Sequence, residues 1–221
     1  MGLTVFLPCR RGSERLRDKN RRPFGCLHNG LIELKLAQLQ QAQRVDRVIV
    51  STDDPWVYAN ADGNVHTHWR DPLLCQNSTS TDDLIPHAVE LIPSGDILWT
   101  HCTSPFVTGA MYDAMIDAYY AASTNDSLMA VHRVHGFYWQ DGKPLNYSGA
   151  ADKWPRTQTL EPVFKVTSGA FIANADIYRQ GDRIGRCPQL FEVSEVAALD
   201  VDTMQDFTLA EHLYVTGFAA V

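Results

Sequence analysis

Short apolar runs alternate along this chain with longer segments whose hydrophobic residues recur at helical spacing. LTVFLPC (3–9) is a β-branched and aromatic run ending at Pro8 and a charged loop, the pattern of a buried strand. In GLIELKLAQLQQAQ (30–43), Leu31, Leu34, Ala37 and Leu39 lie near helical spacing among good helix formers, which predicts a helix with these residues inward. DRVIVSTDD (46–54) is a second buried strand running into an acidic turn. Strand, loop, helix and strand in this order begin a parallel α/β sheet, because parallel neighbours need a crossover between them.

The alternation continues. DDPWVYANAD predicts a short helix and GNVHTHW a strand. STSTDDLIPHAVELI carries Ser/Thr caps and first-turn acids, the signature of a helix start. GDILWTHCTSP is a strand with a polar end, followed by the helix TGAMYDAMIDAYYAA, capped at Thr108. SLMAVHRVHGFYW (127–139) reads as one long strand, and FKVTSGAFIAN and VAALDVD as two more. TMQDFTLAEHLYV closes as a helix, with Thr203 and Asp206 at capping-box spacing. No repeat or linker interrupts the pattern, so a single domain over 1–221 is expected, with an excursion rich in Gly, Pro and aromatics around 132–164. The fold class is α/β, a three-layer sandwich with a mostly parallel sheet.

Ligands of open parallel sheets bind beyond the carboxyl ends of the strands. The basic loop after LTVFLPC, STDD, THCTSP and LDVD all fall at predicted strand ends, so several strands deliver polar groups to one edge.

Charge sharpens this picture. The formal net charge is −7, yet PCRRGSERLRDKNRRPFG (8–25) holds seven Arg or Lys against two acids, +5, leaving −12 for the remainder. Within it RRGSERLRDKN (10–20) has a single Gly and neither G-K-[ST] nor G-x-G-x-x-G, which excludes a Walker A sequence and a dinucleotide fingerprint. Backbone amides around Gly12 and Ser13, a hydroxyl, and cations at 10, 15, 17 and 19 instead form a cradle for several phosphate oxygens. A solvated basic loop is the alternative. Glu14, an acid inside this cradle, is expected to pair with Arg15 or Arg17 or to face solvent. Arg21 and Arg22 are expected only to brace the loop.

Asp200 and Asp202 alternate in the predicted strand, so both carboxylates share a face and suit one hard cation such as Mg²⁺. The alternative is an acid-decorated helix start. Arg156 and Lys165 are cations in an extended region, open to an anionic substrate or to structural ion pairs. His132 and His135 face opposite sides of a strand, and His66 and His68 lack a third ligand nearby, which disfavours histidine metal sites. Five cysteines without C-x-x-C spacing disfavour a disulfide framework or zinc. Neither G-x-S-x-G nor a Cys/His pattern suggests a nucleophilic hydrolase. The acidic balance disfavours nucleic acid. No apolar run approaches the roughly 20 residues of a membrane span, and the N-terminus lacks a signal-peptide pattern, so a cytoplasmic protein is expected.

RRGSERLRDKNRRPFG, HCTSPFVTG, PRTQTLEP, SGAF and ALDVDTMQDFTLAE, in this order and spacing, resemble the acylneuraminate cytidylyltransferases, or CMP-sialic acid synthetases. The resemblance spans nearly the whole chain. It implies a nucleotide-diphospho-sugar transferase fold, a homodimer formed through the excursion, and coupling of CTP to a 2-keto-3-deoxy sugar acid with Mg²⁺, releasing pyrophosphate. Position by position it implies triphosphate contacts from Arg10, Ser13 and Lys19, a nucleotide contact from Asn20, and nucleoside contacts from Arg70, Ser80 and Thr81. Arg10, Lys19 and Asp202 carry catalysis in this reading. Gly12 and Arg15 complete the phosphate loop, with Arg15 supplying charge where Glu14 replaces the usual Lys. His101, Thr103, Arg156 and Lys165 fall on the sugar side, and Asp200 and Asp202 match the metal carboxylates.

Departures concentrate on the sugar side: His101 stands for Gln, Val107 for Arg, Lys165 for Arg and Ser168 for Asn. The nucleotide assignment is accordingly firmer than the sugar. A 3-deoxy-manno-octulosonate cytidylyltransferase and a non-catalytic nucleotide-binding protein of the same fold are the rivals.

Overall fold

In the computed structural model, residues 2–150 and 152–218 are described. Residues 1, 151 and 219–221 of the expected domain and its excursion lie outside them. The strands are β1 (Leu3–Cys9), β2 (Arg47–Thr52), β3 (Val65–Trp69), β4 (Asp96–Trp99) and β5 (Ser127–Val134). Two short strands follow, β6 (Trp139–Gln140) and β7 (Lys143–Pro144), then β8 (Val163–Asn174) and β9 (Pro188–Glu192). Seven of them form one sheet in the order β3-β2-β1-β4-β8-β5-β9, while β6 and β7 pair as a separate hairpin. Within the sheet only β8 runs against its neighbours, antiparallel to both β4 and β5. The sheet is mostly parallel, as expected.

Among the described residues six α-helices cover its two faces: α1 (Gly30–Gln41), α2 (Pro55–Ala59), α3 (Thr81–Leu91), α4 (Gly109–Ala121), α5 (Ala175–Arg179) and α6 (Met204–Val215). Strand alternation divides the core. Leu3, Val5, Leu7 and Cys9 of β1 pack with residues of α1, α4 and α6, whereas Phe6 joins Ile85 of α3 and Tyr178 of α5 on the other side. Three layers result, and the strand ends open on one edge.

The expected inward face of α1 needs correction. Ala37 is exposed and Leu34 half-buried, while Lys35 and Gln38 are buried. The reason lies in the turn after β4, whose carbonyls point at α1 and must find donors. Lys35 Nζ donates to Ser104 O (2.8 Å), Val107 O (3.4 Å) and Tyr112 Oη (2.8 Å), and Gln38 donates to Pro105 O at 2.6 Å. These bonds fix the chain leaving His101–Thr103.

Two strand expectations also change. The run 127–139 is not one strand: β5 stops at Val134, and Trp139 belongs to a hairpin closed by Asp141–Gly142. Both turn residues have positive φ (50° and 75°), the backbone of a type I′ turn. VAALDVD is a turn and an irregular extended segment, and the strand beside β5 is instead β9, which sequence patterning did not reveal.

Candidate active site

The basic loop leaves β1 at the sheet's open edge. Buried Leu16 pins its middle, and Asp18 adopts a positive φ (54°), its carbonyl accepting from the amides of Arg21 and Arg22. At its far end Gly30 is obligatory. Its φ is +66°, and a Cβ there would lie 2.0 Å from the carbonyl oxygen of Arg22.

The loop separates two hollows. One is a cleft of about 480 Å³ that gathers residues from the ends of β1, β3 and β4, from the middle of β8 and from the segment before α6. The loop contributes Arg10, Gly12, Ser13, Glu14, Arg15, Lys19 and Asn20. Arg70 and Asn77 line it from the segment after β3, His101 and Thr103 from the end of β4, and Ser168, Asp200 and Asp202 from β8 and the approach to α6. The other hollow, about 860 Å³, lies on the outer side of the loop and is lined by Arg21, Arg22 and Phe207 among others. It is larger, but the converging polar groups of the strand ends lie in the cleft.

Asp202 sits at the electrostatic centre of the cleft. Its carboxylate accepts two bonds from Arg15 (2.8 and 3.0 Å) and one from Lys19 Nζ (3.0 Å). Asp200 Oδ2 accepts from Ser168 Oγ at 2.7 Å, whereas Asp200 Oδ1 is buried without a hydrogen-bond partner among the described residues. A buried carboxylate oxygen lacking a donor is costly unless a cation or water meets it. Among the described residues no cluster of three or more His, Cys, Asp or Glu side chains occurs. Asp200 and Asp202 could hold a metal that takes one or two carboxylates and completes its shell with phosphate and water.

Arg10 donates to Asn77 Oδ1 and to Cys75 O (3.4 Å), and Asn20 Nδ2 donates to Arg10 O at 3.1 Å. Arg70 is buried, its Nε donating to Ser51 Oγ at 3.0 Å and its Nη2 to Ser51 O. It forms no ion pair among the described residues, and burial lowers its pKa. Such a guanidinium at a cleft wall is suited to an anionic or carbonyl oxygen. Glu14 pairs with neither Arg15 nor Arg17; it is exposed, in line with the second alternative, and its carboxylate accepts from Asn77 Nδ2 at the cleft wall. Arg15 is engaged by Asp202, while Arg17 has a long contact of 3.5 Å to Asp18.

Several candidate residues lie elsewhere. Ser80 is the N-cap of α3, forming a capping box with Asp83, and Thr81 is the first residue of that helix. Both stand outside the cleft lining, where Gln76, Asn77 and Thr79 of the same segment take their place. Arg156 is exposed and caps a 3₁₀ turn in the excursion. Lys165 is exposed on β8, close enough to Asp206 to help lower its pKa. Ser168, in the sequence only a departure from the family's Asn, orients Asp200. Polar residues just before a helix cap, as in QNST, are the signal that would have pointed to Asn77.

Two histidines, buried His87 and half-buried His101, have their pKa values pushed down. Burial, then the charges of Arg183 and Lys19, push His101 down to about 3. His87, bonded to Ser51 Oγ at 2.7 Å, is pushed down to about 4 by burial, His68 and Arg70. An unfolded chain protonates both near pH 6.5, so it binds more protons than the folded one at lower pH. Stability should be fully present above pH 6.5 and decline as pH falls through the range 6.5 to 4. Denaturant midpoints between pH 7.5 and 4.5 check this, and His87→Gln should flatten the slope.

Fold and cleft together define a three-layer α/β sandwich with a polar cleft at the open edge of a mostly parallel sheet. The sequence profile described as cytidylyltransferase matches residues 4–135, more than half of the chain. This chain belongs to the cytidylyltransferase family. No curated protein matches it. Among solved structures it is similar to a CMP:2-keto-3-deoxy-manno-octonic acid synthetase complexed with CTP, at 15% identity and a TM-score of 0.71, over 98% of this chain and 100% of that one. A 4-diphosphocytidyl-2C-methyl-D-erythritol synthase from Anaerococcus prevotii matches at 11% identity and TM-score 0.67, over 96% and 98% of the two chains. A cytidylyltransferase from Leptospira borgpetersenii matches at 16% and 0.61, over 97% and 87%. At these identities the likeness is one of fold. No helix among the described residues is long and apolar enough to cross a membrane.

Proposed function

We propose that this chain transfers the cytidylyl group of CTP to a 2-keto-3-deoxy sugar acid of the nonulosonic, sialic-acid-like class, releasing pyrophosphate. The observation that carries the reading is Asp202, shared by Lys19 and Arg15 across the cleft from Arg10 and beside a buried, donorless Asp200 oxygen. Cations and acids are thus stored against each other until a polyanion and a counter-cation separate them. Asp200 and Asp202 would hold Mg²⁺, which when bound neutralises phosphate charge and acidifies a nearby hydroxyl.

The residues divide the remaining work. Arg10, Arg15 and Lys19, with the backbone amides at Gly12 and Ser13, hold the β- and γ-phosphates and stabilise charge growing on the leaving pyrophosphate. Arg70 and Asn20 serve the nucleotide, and His101 and Thr103 the sugar acid. The anomeric hydroxyl oxygen attacks the α-phosphorus in line, the bond between the α-phosphorus and pyrophosphate breaks, the hydroxyl proton passes to solvent water, and no covalent enzyme intermediate forms. Arg156 and Lys165 remain candidates for the sugar side, supported only by the resemblance.

Pyrophosphate release from each of the four nucleoside triphosphates, across a panel of 2-keto sugar acids that includes octulosonate, tests this. CTP with a nonulosonic acid should be preferred. Activity with octulosonate alone would move the chain to that branch, and no preference for CTP would refute the nucleotide assignment.

Assembly as a homodimer through the excursion belongs to the same reading. Phe137 packs on Tyr147 and Trp154 (ring centroids 5.3 and 5.1 Å apart), yet Trp139 and Trp154 remain 57% and 70% exposed. Exposed tryptophans on a self-packed aromatic unit suit interface anchors. Light scattering should give twice the monomer mass, and a fully active monomer would exclude the arrangement. A cytoplasmic location is part of the proposal and follows from its substrates.

A further inference from the structure

His101 lines the cleft with a side chain whose orientation is over-determined. Trp99 lies two residues earlier on the same face of the strand end and is fully buried. Its indole stands edge-on to Phe6 (centroids 4.7 Å apart, 70°), parallel to Tyr178 (6.3 Å, 14°), and under the guanidinium of Arg183 at 5.0 Å. Arg183 also covers Phe171 at 4.0 Å. Packed on these sides, the indole has little freedom, and its Nε1–H meets His101 Nε2 at 3.0 Å.

An indole N–H is a donor only. The nitrogen it meets must present a lone pair, so the remaining ring proton resides on Nδ1. We propose that Trp99 is a positioning residue that locks His101 as the neutral Nδ1–H tautomer, making it a single hydrogen-bond donor to an oxygen of the sugar-acid substrate. This rests on the acceptor class proposed above. Burial and the nearby charges of Arg183 and Lys19 oppose protonation of the ring, and Asp202, which favours it, is already engaged by Arg15 and Lys19.

The consequence is a division of labour. His101 is excluded as general base, because its basic nitrogen is occupied and its other nitrogen carries a proton. It adds no charge to a cleft already supplied by Arg10, Arg15 and Lys19. It can only select an oxygen lone pair, so it discriminates among acceptors rather than driving the reaction.

Two measurements decide the matter. In protein labelled with ¹⁵N at histidine, the His101 ring in the wild-type chain at pH 7 should show a protonated Nδ1 and an unprotonated Nε2, and Trp99→Phe should abolish this preference. Kinetically, Trp99→Phe and His101→Leu should raise KM for the sugar acid about two- to tenfold, the scale of one neutral hydrogen bond, leaving CTP affinity unchanged. His101→Gln, which restores a neutral donor, should recover most of the loss. Should Trp99→Phe not fold, the wild-type spectrum and the two His101 variants still decide.

An imidazolium or an Nε2–H ring in the wild type overturns the inference. So does a loss in kcat without a change in KM for the acid. If the tautomer is found and His101 variants alter binding of a different acceptor, the positioning role stands and the proposed acceptor class fails.

Discussion

Replacing Asp202 with Asn should lower turnover about a hundred- to a thousandfold, the scale on which losing one preorganised electrostatic partner acts, and leave the fold intact. The substitution preserves shape but removes the charge that Arg15 and Lys19 share. Two roles for Asp202 predict different signatures. If it only braces the loop, the loss appears in KM for CTP and is indifferent to the metal. If it is a metal ligand, kcat falls and the Mg²⁺ concentration for half-maximal rate rises. CTP binding without Mg²⁺ should then be unchanged or tighter, because a carboxylate competing with phosphate for Lys19 and Arg15 has been removed. Turnover at limiting Mg²⁺, paired with calorimetric titration of CTP in chelator, separates the two. Near wild-type activity at limiting Mg²⁺ would sink the metal assignment. Asp200→Asn is the companion, since Asp200 holds Ser168 with one oxygen and leaves the other free.

The sheet was legible in the sequence because its strands are buried on both faces and read as continuous apolar runs, as in β1, β2 and β4. Caps marked by short polar side chains were legible for the same local reason: Ser80, Thr108 and Thr203 all act as N-caps. What escaped was set by distant partners. Lys35 and Gln38 are polar residues turned inward to serve carbonyls about seventy positions away, and periodicity cannot see an acceptor on another element. Strand β9, PQLFE, is short and only half-buried along one face, so it lacks both the continuous run and clean alternation.

The site divides in the same way. Charge concentration located the loop, and the strand ends located the acids, so Arg10, Ser13, Lys19, Asp200 and Asp202 arrive together in one cleft. Asp200 and Asp202 do so without the strand that suggested their shared face. The amide of Val201 between them donates to Thr103 O at 2.8 Å, which ties their segment to the end of β4. Ser80 and Thr81 lie outside the cleft lining, and the Ser80 hydroxyl, which marks the helix start, is engaged in capping it. Asn77, three residues earlier, is the side chain that bridges Arg10 and Glu14.

If the loop holds the triphosphate, its cations are unequal, and Lys19→Ala should weaken CTP binding roughly ten- to a hundredfold while Arg22→Ala changes it little. The geometry sets the order. Lys19 is largely buried at the cleft, its Nζ 3.0 Å from Asp202, so a phosphate oxygen replacing that carboxylate would form a charge-assisted bond of about 1.5–3 kcal/mol. Arg22 faces the outer hollow, its guanidinium 5.6 Å from the Phe207 ring centre, and losing such a contact costs about 0–1 kcal/mol. Glu14 supplies the opposite sign. It is held by Asn77, which also accepts from Arg10, so an acid stands one residue away from the phosphate-binding cation. Glu14→Lys removes that acid, adds a cation, and should tighten CTP binding by an amount that declines as salt is raised. Calorimetric affinities of the three variants at low and moderate ionic strength give the test. Equal losses for Lys19→Ala and Arg22→Ala would mean a diffuse basic field rather than a cradle. A gain for Glu14→Lys that salt does not erode would place the new side chain on the nucleotide itself, in direct contact with a phosphate.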